Sequence, residues 1–120
     1  MFRLEIKTRH PSLNEWLSSN GGWYKKAADK QRYENEMLWE MRVQKCPKFK
    51  QPIQINVTQF TARMRDVDNC IISAKYLGDA LKAGGYIADD TPDFIRSITL
   101  QWKKCEKFAD EKVVYLISEC

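Results

Sequence analysis

Histidine is nearly absent from this chain: His10 is the one imidazole in 120 residues. The four cysteines, Cys46, Cys70, Cys105 and Cys120, stand far apart with no Cys-x-x-Cys pair, so a structural zinc site has little to build with. The same scatter reads as free cytosolic thiols, with Cys120 an exposed thiol prone to artefactual disulfide dimers. No apolar run approaches the roughly 20 residues needed to cross a bilayer. Residues 1–7 alternate like a strand and not like a signal peptide. The expectation is a cytoplasmic protein with no membrane partner and no small-molecule cofactor. Internal repeats and low-complexity segments are missing as well. What is present is an ordinary globular composition, 43% hydrophobic and 30% charged, in a length that supports one core and not two. Residues 1–120 are therefore read as a single domain.

The net charge of +4 is a mild excess, much of it in Lys25, Lys26, Lys30, Lys45, Lys48, Lys50, Arg63, Arg65, Lys103, Lys104 and Lys107. Such a distribution permits nucleic-acid binding, although a solvated surface is the commoner use of the same charge.

Periodicity outlines the fold. Residues 2–8 alternate as a strand, and a polar loop is expected from Pro11 through Gly22. A long helix follows from about Tyr24 to Lys45, its apolar residues Ala27, Tyr33, Met37, Trp39, Met41 and Val43 partly on helical spacing until Pro47 stops it. Residues 53–60 place Ile53, Ile55 and Val57 on a period of two, the mark of a half-buried strand. A second helix begins after Asp68, capped by Asn69 or Asp68, with Ile71, Ala74, Leu77 or Gly78, and Leu81 on one face and Gly84 at its left-handed end. Strands are expected at 94–102 and 112–118. The order β-α-β-α-β-β predicts an α+β domain, helices packed on a small mixed sheet.

Chemistry concentrates in Arg63-Met64-Arg65-Asp66-Val67-Asp68-Asn69, with a second acidic pair, Asp89-Asp90, about twenty residues on. Arginines attract a polyanion that clustered carboxylates repel, and a divalent cation reconciles the two. In an extended segment Asp66 and Asp68 would share one side, with Val67 turned into the core between them. The helix after Asp68, about 22 Å long for some fifteen residues, separates Asp90 from Asp66 unless the 85–93 loop folds back beside the 53–60 strand. An all-oxygen set of this kind favours magnesium or manganese. Lys75, seven residues after Asp68, returns to nearly the same side of the helix and is suited to a phosphate. Each piece alone also has a bland reading: Asp68-Asn69 as a cap, Lys75 as a solvated lysine.

Arg65-Asp66-Val67-Asp68-Asn69, followed by Asp79-Ala80-Leu81-Lys82-Ala83-Gly84-Gly85-Tyr86-Ile87-Ala88-Asp89-Asp90, resembles the RusA family of Holliday-junction resolvases. Pro11-Ser12-Leu13-Asn14-Glu15-Trp16 is similar to the segment after that family's first strand. The resemblance covers nearly the whole chain. It implies a small homodimeric endonuclease of DNA recombination and repair that uses Mg2+ or Mn2+ to place paired symmetric nicks in four-way junctions. Many members are encoded by phages and prophages. Carried over by position, the metal-binding and catalytic aspartates fall on Asp66, Asp68 and Asp90, with Asp89 a neighbour that assists. The family's lysine normally follows Asp-Asn by three residues, where this chain has Ile72; an insertion of three residues moves the role to Lys75. DNA contacts fall to Arg63 and Arg65, with Lys25, Lys26, Arg32 and Asn14, while Trp23, Tyr24 and Tyr86 are candidate wedges. Alternatives are a nuclease preferring flaps or forks, and a branched-DNA-binding protein whose catalysis is altered or lost.

Overall fold

Four strands form one sheet: β1 (Phe2–Ile6), β2 (Ile53–Thr61), β3 (Ile95–Lys104) and β4 (Lys112–Glu119). A computed structural model describes residues 1–18 and 22–120, with only the backbone for 22–25. The strand order is β1-β4-β2-β3, antiparallel except for the parallel pair β2/β3. A parallel pair needs a crossover, and α3 (Ile71–Ala83) supplies it. α1 (Leu13–Leu17) and the long α2 (Gly22–Val43) precede β2. The result is a small α+β domain with a mixed sheet, as the periodicity predicts, but with three helices among the described residues where two are expected.

Alternation decides which face is covered. Ile53, Ile55, Val57, Gln59 and Thr61 of β2 are buried, while Gln54 and Asn56 between them are exposed. Ile53, Ile55 and Val57 meet Leu4 and Ile6 of β1, Met37 and Met41 of α2, and Ile72, Ala74, Tyr76, Leu77, Ala80 and Leu81 of α3 in one core. Burying a Leu- or Ile-sized side chain stabilises by roughly 1.5–3 kcal/mol, so this two-layer contact is the main source of stability. Trp39 and Val43 of α2 remain mostly exposed, because one stripe of the helix suffices for the contact.

Several expectations change. The polar loop contains α1, started by a capping box in which Ser12 Oγ accepts from the Glu15 N–H at 3.1 Å and Glu15 accepts from the Ser12 N–H. β1 ends at Ile6. Pro47 does not itself stop α2, which ends where Lys45 takes φ 62° and the Cys46 N–H reaches the Met41 carbonyl at 2.8 Å. Gly84 has φ −81°; the left-handed residue is Gly85 at φ 75°. Gly84 is needed for closeness instead, since a Cβ there would lie 2.7 Å from the Tyr86 ring and 2.8 Å from Leu38. Neither Asp68 nor Asn69 caps α3: Cys70 holds the N-cap position without a side-chain bond. Ile71 lies half-exposed outside the apolar face.

Both sheet edges are fitted with polar groups. Gln44, just past α2, donates to the Glu5 carbonyl at 2.8 Å and accepts from the Glu5 N–H at 3.0 Å, adding a side-chain rung to the outside of β1. β3 forms the other edge, with exposed Arg96, Lys103 and Lys104 and an irregularity opposite Ile53/Gln54. The four cysteines are free thiols and Cys120 is exposed. No helix among the described residues is long and apolar enough to cross a membrane.

Candidate metal and nucleic-acid site

The segment that follows β2 is fastened along its length. Trp102 of β3 donates its indole N–H to Thr61 Oγ1 at 2.7 Å, and that hydroxyl donates to the Arg63 carbonyl. The buried Glu111 accepts from the Ala62 N–H at 2.9 Å. Arg65, its side chain only 8% exposed, donates to the His10 carbonyl and Gln59 Oε1, each at 2.8 Å, and pairs with Glu15 at 3.2 Å. Burial, and then the charge of Arg9, pull the Arg65 pKa below its ordinary value, opposed by Glu15 and Glu111. Arg9 pairs with Glu15 at 2.6 Å and Glu111 at 3.6 Å, so two arginines and two glutamates balance beneath this segment.

On that base the chain presents Asp66 and Asp68, both exposed. They do not continue an extended strand. Asp66 is extended (φ −65°, ψ 144°), while Asp68 lies in a 3-10 turn, Val67–Cys70, closed by the Asn69 N–H on the Asp66 carbonyl at 3.0 Å. Val67 accordingly points outward, 49% exposed, and not into the core. Asp66 borders a cleft of about 310 Å³ with Arg9, Ser12, Glu15, Arg63, Arg65 and Asn69.

Asp90 lies on a different cleft. The 84–94 loop does fold back, because β3 runs parallel beside β2 from Ile95 opposite Ile53. It sets Asp90 with Lys75, Asp79, Ile71, Ile95 and Ile98 around about 330 Å³. Asp89 is occupied: its carboxylate takes Lys82 at 3.0 Å, which with the Asp90 amide holds its pKa below the ordinary value. Among the described residues no three acidic, histidine or cysteine side chains gather closely enough to form a metal cage. The expected triad is thus split, with Asp66 and Asp90 on separate clefts and Asp68 lining neither.

Lys75 is half-exposed and reaches Asp79 at 4.0 Å, an oxygen shared with Lys30 at 3.4 Å. Ile72, at the resemblance-derived lysine position, is 3% exposed in the core. Lys75 also borders a neighbouring cleft with Trp16, Lys26, Ala27, Lys30 and Tyr76, where Lys26 lies 4.7 Å from the centre of the Trp16 ring. Lys26 and Lys30 of α2 and Lys75 of α3 therefore line one cleft next to that of Asp90, with Lys30 and Lys75 sharing Asp79.

Of the other expected DNA contacts, Arg63 is exposed on the Asp66 cleft, whereas the Arg65 guanidinium is committed to the interior. Asn14 is exposed on α1, and Arg32 is exposed but paired with Asp29 at 3.6 Å and set over Tyr33. The side chains of Lys25, Trp23 and Tyr24 lie outside the described residues. Tyr86 packs against the core over Gly84, so its ring is not free to act as a wedge. Sequence reasoning missed Arg9, Glu15, Gln59, Ser73 and Glu111. Buried polar residues carry no periodic signature, and only the solitary His10 was conspicuous.

The donor set suits a hard cation in part. Magnesium is commonly held by one or two carboxylates, with water and substrate phosphate completing the shell, and Asp66 with Asp68 offers two. No protein-family model matches the chain, and no curated protein matches it.

Proposed function

We propose that this protein is a magnesium- or manganese-dependent endonuclease that nicks branched DNA, acting as a homodimer on four-way junctions in recombination and repair. The observation that carries the reading is the fastened 61–65 segment, which delivers two exposed carboxylates at the start of α3, the helix that carries Lys75 to a separate cleft with Asp90. Asp66 and Asp68 would hold the cation, with Asp90 as the third carboxylate. A bound ion would lower the pKa of an attacking water and offset charge on the scissile phosphate. Arg63, Lys26 and Lys30 attract the backbone, and Lys75 neutralises charge on the phosphate or its leaving oxygen. A two-fold dimer matches the approximate symmetry of a junction.

The test is incubation of a labelled four-way junction and a matched duplex with magnesium, manganese or chelator, alongside Asp68→Asn. Symmetric metal-dependent nicks in the junction, absent in Asp68→Asn, are expected; equal cleavage by the variant would remove Asp68 from the site. Flap and fork substrates in the same gel rank the branched geometries. A second reading, a branched-DNA-binding protein without cleavage, is favoured by the split of the aspartates and by Ile72 in the lysine position. Tight metal-independent binding with no nicks would select it.

A further inference from the structure

We infer that Gln59, Ser73 and His10 are positioning residues that act through Arg65, forming a one-way hydrogen-bond circuit that sets the main chain at Asp66. This rests on the nuclease reading for its purpose, though not for its geometry.

The direction of the circuit follows from what each group can do. A guanidinium only donates, so the 2.8 Å bond from Arg65 fixes the Gln59 oxygen as acceptor. The Gln59 amide nitrogen therefore donates to Ser73 Oγ, at 2.7 Å. Ser73 has a single hydroxyl proton, and His10 Nδ1 lies 2.8 Å away to accept it. We assign Nδ1 as that acceptor, which leaves the His10 proton on Nε2; a ring protonated on Nδ1 would instead donate to the second lone pair of Ser73 Oγ. Nε2 is buried without a hydrogen-bond partner among the described residues, beside Tyr33 and Tyr76, whose rings stand nearly perpendicular to the imidazole at 5.0 and 5.3 Å between centres. Arg65 also donates to the His10 carbonyl, so both arms of the network start on Arg65 and end on His10. Tyr115 holds the Ser73 carbonyl at 2.9 Å, tying β4 to the same point. Gln59, Ser73 and His10 are at most 1% exposed, and Arg65 immediately precedes Asp66. The backbone at Asp66 is thereby coupled to β2, α3 and the segment after β1.

The test uses the single histidine, whose ring nitrogens give unambiguous NMR signals in protein labelled with 15N-histidine. The wild type is expected to show Nδ1 unprotonated and Nε2 protonated at neutral pH. Gln59→Glu supplies a carboxylate that accepts from both Arg65 and Ser73, which reverses the Ser73 hydroxyl and moves the imidazole proton to Nδ1. Its anchor on Arg65 is kept. Gln59→Leu breaks the circuit, and the Asn69 amide, which donates to the Asp66 carbonyl at 3.0 Å, is expected to exchange its hydrogen about tenfold faster or more, the factor for losing one charge-assisted bond. Gln59→Glu should leave that exchange near wild type. A wild-type imidazole protonated on Nδ1, or unchanged Asn69 exchange in folded Gln59→Leu, would overturn the inference. If Gln59→Leu does not fold, Arg65→Met is read by the same exchange.

Both readouts are made without metal or DNA. Failure of the nuclease reading would appear separately, as wild-type protein that cleaves nothing. Where cleavage is present, Gln59→Leu should also weaken Mn2+ binding by roughly 10–100-fold, the usual effect of removing a partner behind a metal ligand.

Discussion

Asp90 donates its backbone N–H to Oδ1 of Asp89 at 2.8 Å, and Lys82 closes on the same oxygen at 3.0 Å. Two adjacent carboxylates are thus given different tasks. Asp89 braces the turn, while Asp90 faces the cleft that contains Lys75. Asp90→Asn is expected to lower metal-dependent cleavage by about 10²-fold or more, with Asp89→Asn within a few-fold of wild type. A cleavage assay of both variants on one junction checks this; the reverse ranking would exchange their roles.

Lys75 and Ile72 divide the lysine question between them. Lys75→Ala should reduce cleavage by about 10²-fold and shift stability by no more than ~0.5 kcal/mol, as for most exposed positions. Ile72→Lys places an unpaired charge in the core and should destabilise by roughly 3–5 kcal/mol. It should not restore activity to Lys75→Ala. Urea unfolding together with the cleavage assay reads both effects, and rescue by Ile72→Lys would undo the Lys75 assignment.

Burial first, and then the charge of Arg65, lower the His10 pKa from 6.5 to about 3. Between those values the unfolded chain takes up a proton that the folded chain refuses. The contribution to stability is therefore complete above 6.5 and is lost progressively as pH falls through the window. From pH 6.5 to 5 the unfolding free energy should drop by roughly 2 kcal/mol, at about 1.4 kcal/mol per unit. His10→Asn should flatten that segment of the curve, while the carboxylates act lower. Equal slopes in the two proteins would assign the effect elsewhere.

Among the described residues two sit in the left-handed region, Lys45 at φ 62° and Gly85 at φ 75°. Only one is a glycine. Lys45→Gly should raise stability by ~1 kcal/mol and Gly85→Ala should lower it by a similar amount, because a Cβ is disfavoured there. Nothing lies within 4 Å of a Cβ at Gly85, so backbone strain alone sets that loss. Thermal unfolding of the two variants should move in opposite directions.

Strands and long helices were legible because burial imprints a period, as in Ile53, Ile55 and Val57, or in Ala74, Leu77 and Leu81. α1 was not, since five residues make barely one turn and too short a window for a period to stand out, although Leu13, Trp16 and Leu17 fall on helical spacing and Ser12 and Glu15 spell a capping box three apart. The outward turn of Val67 was hidden too, because the 3-10 geometry comes from the local chain and not from alternation. Arg65 shows the limit most clearly. Beside exposed Arg63 it reads as a second phosphate ligand, yet its acceptors are His10, Gln59 and Glu15, which lie 55, 6 and 50 residues away along the chain.

The Gln44 rung on β1 and the charges along β3 have a shared effect on how the sheet meets its own kind. An uncovered strand edge is a template for another strand, and natural proteins blunt such edges with lysine, irregular pairing or a covering group. Here Gln44 occupies one template with a side-chain amide. Arg96, Lys103, Lys104 and the shifted register make the other repel a copy aligned beside it. The bare sheet is in this way guarded against growing into a fibril.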